Sequence, residues 1–100
     1  MEVEFADGKL EAIETDHAIQ ATRLPPEVIA SCRRKLIFLR NAPDERTLRN
    51  WKSLHYEKLD GKREGQRSIR LNDQWRMVFE LIEDKSPPKI RVLSVEDYHK

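Results

Sequence analysis

The sequence predicts an α+β domain, with an N-terminal strand and helices packed on a largely antiparallel sheet that ends in a three-stranded meander. Three observations carry this expectation. Apolar residues recur every three to four positions over residues 25–41, they alternate after residue 50, and Gly, Pro, Asn or Asp punctuates each change of period. One hundred residues, 38% apolar and 37% charged, suit a single domain over 1–100 with one modest core beneath a charged surface.

The first element is short. Val3 and Phe5 alternate with Glu2 and Glu4, the pattern of a strand with one buried face, and Asp7-Gly8 ends it. From Lys9 to about Gln20, Leu10, Ile13, His17 and Ile19 or Ala18 fall at loosely helical spacing. The clearest helix is predicted over 25–41. Pro25 and Pro26 suit its entry, Glu27 favours the positive end of its dipole, and Val28 or Ile29, Cys32, Leu36 and Leu39 form one apolar stripe. Arg33, Arg34, Lys35 and Arg40 take the other faces. Asn41-Ala42-Pro43 stops it, and Asp44 is placed to cap a short helical turn reaching Leu48.

Beyond residue 50 the period shortens to two. Ser68–Leu71 reads as a strand, Asn72-Asp73 as a turn, and Gln74–Ile82 as the second arm of a hairpin. Trp75, Met77, Phe79 and Leu81 then share one face, with Arg76, Val78, Glu80 and Ile82 on the other. Trp75 is expected at the core or an interface. Glu83–Pro88 reads as a polar loop, and Ile90–Val95 as a third strand delivering Glu96-Asp97-Tyr98-His99-Lys100.

Composition removes several functional classes. No apolar run is long enough to span a bilayer, the N-terminus is acidic where a signal peptide needs basic residues, and Cys32 has no partner for an internal disulfide. A cytoplasmic protein without membrane contact is expected. Cys32 and the three histidines lack any paired metal-ligand spacing, so no metal or other cofactor is expected. Gly61 and Gly65 do not form a phosphate loop, and no base adjoins a serine or cysteine nucleophile.

The net charge of +1 conceals polarity along the chain. Residues 1–16 carry six carboxylates against Lys9, whereas residues 61–76 carry Lys62, Arg63, Arg67, Arg70 and Arg76 against Glu64 and Asp73. Local patches decide polyanion binding, so a near-neutral total leaves a nucleic-acid partner open. Arg70 and Arg76 lie on two arms of one hairpin, and a following strand returns Asp97, Tyr98 and His99 towards them. Such a set can cleave RNA without a metal. Histidine moves protons near neutrality, between the ribose 2′-hydroxyl and the leaving 5′-oxygen, and arginine stabilises the charged phosphorane. His55 is a second candidate imidazole. Each group also has a plainer reading: a polar terminus for Asp97-Tyr98-His99, a pairing of Arg76 with Glu80, and a core-edge role for His55.

The run Lys58-Leu59-Asp60-Gly61-Lys62-Arg63-Glu64-Gly65, followed by Ser68-Ile69-Arg70-Leu71-Asn72, Trp75-Arg76-Met77-Val78-Phe79 and Glu96-Asp97-Tyr98-His99, resembles the HigB branch of the RelE/ParE toxin superfamily. The likeness is dense over the second half and rests on length and order in the first. It implies the toxin component of a type II toxin–antitoxin system, on a RelE-like fold. Its implied activity is that of an mRNA interferase, a ribosome-dependent endoribonuclease that inhibits translation and arrests growth. By position, Asp97, Tyr98 and His99 match the terminal catalytic cluster and Arg76 the arginine of the penultimate strand. His55 stands for the histidine near the leucine–glycine turn, across a segment a couple of residues longer than the pattern. Lys62, Arg63, Arg67 and Arg70 become RNA-binding candidates. The implied partners are a HigA-like helix-turn-helix antitoxin, the ribosome and mRNA, with operator DNA reached only through the antitoxin complex. Two alternatives remain: a gyrase-inhibiting toxin on the same fold, and a non-toxic remnant that binds antitoxin.

Overall fold

The computed structural model describes residues 1–15, 24–84 and 86–98, and it has the α+β architecture expected. Strand β1 (Val3–Phe5) leads into a one-turn helix α1 (Gly8–Glu11) and a 3-10 turn (Ala12–Glu14). Helix α2 (Pro26–Asn41) and the short α3 (Glu45–Asn50) follow. Strands β2 (Glu57–Lys58), β3 (Gln66–Arg70), β4 (Trp75–Ile82) and β5 (Lys89–Asp97) complete the chain. The sheet order is β1-β5-β4-β3-β2. The meander β3-β4-β5 is antiparallel, and β1 joins its edge in parallel with Phe5 beside Val92.

Local chemistry accounts for the helix boundaries. Asp7 accepts from the Leu10 amide at 2.9 Å, and Asp44 accepts from the amide of Thr47 at 3.0 Å, so each carboxylate satisfies a donor that the first turn leaves orphaned. At the far end of α2 the Met1 ammonium donates to the carbonyls of Leu39, Arg40 and Ala42 at 2.6–3.2 Å, setting a cation against the negative end of the dipole. The N-terminal helix expected to reach Gln20 is, as far as Thr15, only α1 and the 3-10 turn; its remaining positions lie outside the described residues.

The predicted stripe of α2 is the core. Val28, Ile29, Cys32, Leu36 and Leu39 are buried against Ile69, Met77, Phe79, Ile90 and Val92 of the sheet, with Leu48 and Leu54 closing one end. Trp75 packs partly buried against this cluster. Ser31 Oγ donates to the Leu71 carbonyl at 2.7 Å and ties α2 to the end of β3. The hairpin connection is wider than a two-residue turn. Asn72 Oδ1 accepts from the amides of Gln74 and Trp75, while the amides of Leu71 and Asn72 donate to the Trp75 carbonyl. A bulge between β4 and β5 resets the register at Val78 and Phe79, where Ser94 and Val92 are the partners and Leu93 is the extra residue.

Candidate functional site

Helices cover one face of the sheet, and the register of the other face sets out the site. One row across it runs Glu57, Ser68, Val78, Ser94; the next runs Arg70, Arg76, Glu96. Arg70 and Arg76 are therefore direct cross-strand neighbours. Two like charges at such positions repel, so the pair costs stability unless an anion lies between them.

Arg76 is held on several sides. Its Nε donates to Ser68 Oγ at 2.8 Å, and its Nη2 donates to the His55 carbonyl and, at 3.3 Å, to the Ser68 carbonyl. A Glu57 carboxylate oxygen lies 3.8 Å away, and only 13% of the side chain is exposed. The Tyr98 ring lies over the guanidinium, 5.8 Å from carbon to centroid, within cation–π range. The Tyr98 amide donates to the Gln74 carbonyl at 2.6 Å, which fastens the strand end beside the hairpin turn. A cleft of about 560 Å³ opens here, lined by Glu57, Arg70, Asn72, Arg76 and Tyr98 among others.

His55 ends the 3-10 turn Lys52–Leu54 in the left-handed conformation, at φ 47°. Non-glycine residues visit this region at a cost, and such strain clusters at functional sites. It turns the His55 carbonyl to Arg76 and leaves Nε2 3.4 Å from Arg70 Nη1. Arg70 also pairs with the exposed Asp73.

The structure thus gathers His55, Arg70, Arg76 and Tyr98. Asp97 is in register with Trp75, on the side of β5 opposite to Glu96, and accepts from Gln74 Nε2 at 2.9 Å. His99 lies outside the described residues. Arg63 reaches from the 3-10 turn Gly61–Arg63 to Glu96, which also accepts from Ser94 Oγ; the Arg63 bond holds the Glu96 carboxyl below its usual range. Lys62 is exposed on the same turn. Arg67 points to the helical side, where its Nε lies 3.0 Å from the Tyr56 hydroxyl and 3.4 Å from Glu45. Burial, then the bond to Glu45, pushes the Tyr56 hydroxyl above its ordinary pKa. Glu80 pairs with Arg91 at 3.4 Å, so the Arg76–Glu80 pairing read from spacing gives way to Arg76 with Glu57.

Two site residues escaped the sequence reading. Glu57 lies on a two-residue strand, too short for alternation to show. Ser68 stood in view, two residues before Arg70 and so on the same sheet face, yet only the β3–β4 register puts it under Arg76.

A family model described as the RelE-like toxin of type II toxin–antitoxin system HigB matches residues 3–93. Among curated proteins none matches the chain. Solved structures similar to it include a YoeB/ParE toxin from Agrobacterium tumefaciens (TM-score 0.60, 17% identity, covering 99% of this chain and 100% of that one). YafQ from E. coli strain BL21(DE3) aligns with TM-score 0.59 at 12% identity, over 96% of this chain and 91% of that one. The YoeB–YefM complex from Staphylococcus aureus gives TM-score 0.55 at 17% identity, over 100% and 98%. At these identities the structures attest the fold.

Proposed function

Because the chain belongs to the HigB-like toxins, RelE-like toxins of type II toxin–antitoxin systems, we propose that it is a ribosome-dependent mRNA endonuclease whose scissile phosphate sits in the cleft beneath Tyr98. The single observation that supports this most is the opposed pair Arg70 and Arg76, with Arg76 already oriented by Ser68 and the His55 carbonyl. A cation fixed before substrate arrives stabilises the phosphorane without reorganisation, the condition under which such contacts count most.

In this reading the ribose 2′-oxygen attacks phosphorus, the bond from phosphorus to the 5′-oxygen breaks, and a 2′,3′-cyclic phosphate and a 5′-hydroxyl result. A base takes the 2′-proton and an acid returns one to the 5′-oxygen. His55 and Glu57 are the proton-accepting groups beside the two arginines. His99, the residue after Tyr98, completes the proposed proton-transfer set, and Asp97, on the other side of β5, holds Gln74 beside the hairpin turn. Arg70 holds a non-bridging oxygen, Arg76 bears the developing charge, and Tyr98 shields both and orients the substrate. Lys62 and Arg63 steer the flanking strand. Arg67, held by Glu45 and Tyr56, supports the hairpin from behind. No metal is assigned a role. The proposed antitoxin is of the HigA-like helix-turn-helix kind, and operator DNA is contacted through that complex.

Primer extension on translated mRNA with purified protein and ribosomes tests the proposal. The wild type is expected to cut within codons, and Arg76→Ala and His99→Ala each to lower cutting by about 100-fold or more, the usual cost of losing a group that acts on the transition state. Uncut message with the wild type, or full cutting by Arg76→Ala, overturns it.

A further inference from the structure

We propose that Trp51, with Arg34, Lys35 and Lys52, forms a second nucleotide subsite that stacks an unpaired base of single-stranded RNA flanking the scissile phosphate. The inference rests on the reading of the cleft as an RNA site and extends it around the sheet edge.

Among the described residues, Trp51, 51% exposed, and Ile37 are the large apolar side chains that stand open to solvent. Trp51 is also braced. Its ring centroid lies 4.7 Å from that of Phe38, at 51° between the planes, so α2 supports it while half its surface stays open. A rigid, half-open indole is a platform on which any base can stack.

The surrounding charge selects the occupant. Lys35 lies one helical turn beyond Ser31, whose bond to the Leu71 carbonyl presses this ridge of α2 against the end of β3, next to Arg70. Burial, then the charges of Arg34 and Arg70, holds the Lys35 ammonium below its ordinary value. Like charges meet here, and Arg70 alone of the three has a paired carboxylate, the exposed Asp73. Arg34, Lys35 and Lys52, like several other surface cations, have no acidic partner within ion-pair distance among the described residues. An unneutralised cation group beside an open aromatic ring is the arrangement that binds a single-stranded polynucleotide.

Continuity points to RNA over an acidic protein. Trp51 and His55 bracket the 3-10 turn Lys52–Leu54, which spans at most about 14 Å even if extended. Lys35 meets the charge of Arg70, which lines the cleft. A strand with its scissile phosphate at Arg76 passes Arg70 and reaches Trp51 within a few nucleotides.

Fluorescence anisotropy of 5′-labelled 2′-O-methyl oligoribonucleotides, which resist cleavage, tests this with a dinucleotide and an octanucleotide. The octanucleotide is expected to bind Trp51→Ala about 5- to 100-fold more weakly than wild type, with Trp51→Phe recovering most of the loss. The dinucleotide binds wild type and Trp51→Ala alike, whereas Arg76→Ala weakens both lengths. Replacing Arg34 and Lys35 together by Gln lowers the salt slope of octanucleotide binding by about 1.4, roughly 0.7 per phosphate contact. Trp51 lies outside the buried core, so circular dichroism is expected to report a folded Trp51→Ala. Unchanged octanucleotide affinity in Trp51→Ala, with Arg76→Ala still weakening both, refutes the platform and leaves the cleft standing. If Arg76→Ala weakens neither, the cleft reading fails and the platform with it. Loss of antitoxin binding in Trp51→Ala with RNA binding intact assigns the surface to a protein and also overturns the inference.

Discussion

Ser68 shows how much of a site can depend on a residue that substrate never meets. It is fully buried in the middle of a strand, and its hydroxyl accepts from Arg76 Nε at 2.8 Å. Ser68→Ala leaves that donor without its partner and frees the guanidinium to swing. Stability is expected to fall by about 1–3 kcal/mol, the range for an unsatisfied buried group. The sharper expectation is a single-turnover cleavage rate lower by about tenfold with RNA affinity little changed, since misorientation acts on the transition state. Full rate at a lowered melting temperature would reduce Ser68 to packing. The arginines and Tyr98 were legible because chemistry needs those residue types and the family pattern marks their places. His55 stood open between a core-edge group and a site group. Its left-handed backbone, which no side-chain pattern announces, sets its carbonyl on Arg76.

Between elements, the contact of most interest joins the basic turn to β5. Arg63 on the 3-10 turn pairs with Glu96, the residue beside Arg76 in the sheet register. Arg63, then the Ser94 hydroxyl, outweighs burial and holds Glu96 below its ordinary value of 4.5. A carboxyl whose folded pKa is depressed contributes stability that is fully present above 4.5 and is lost as pH falls through the lower folded value. Thermal unfolding is therefore expected to be steady above about pH 4.5 and to weaken below it. Glu96→Gln should remove part of that acid slope; an unchanged slope would show that the pair is too solvated to matter. At this scale the sequence was read well where periods are long. The helix expected over 25–41 is Pro26–Asn41, and the hairpin arms are displaced by only one or two residues at their ends. Short elements were read unevenly, since β1 showed in Val3 and Phe5 and α3 in its cap Asp44, while β2 and the pairing of β1 did not show. β2 has two residues, and the parallel partnership of β1 with β5 depends on contacts across nearly the whole chain.

Across the whole molecule, charge is sorted by the fold. The acidic N-terminal segment does not simply face water: Glu4 pairs with Lys89 and Arg91, and Glu14 pairs with Arg40. These bonds engage cations on the β1 side of the sheet, while Arg34 and Lys35 on α2 and Lys52 beside Trp51 have no ion-pair partner among the described residues. Composition gave only a near-neutral total, and the uneven distribution along the chain hinted at a patch without locating it. The central claim is that this patch binds RNA so that its own 2′-hydroxyl is the nucleophile. The most direct measurement is the chemistry of the cut ends on a translated message, repeated with a single 2′-deoxyribose placed immediately 5′ to the cut phosphate. A 2′,3′-cyclic phosphate facing a 5′-hydroxyl, with cutting abolished by the deoxy substitution, is the predicted result. Cutting of the deoxy-substituted message, or a 5′-phosphate facing a 3′-hydroxyl, would contradict it.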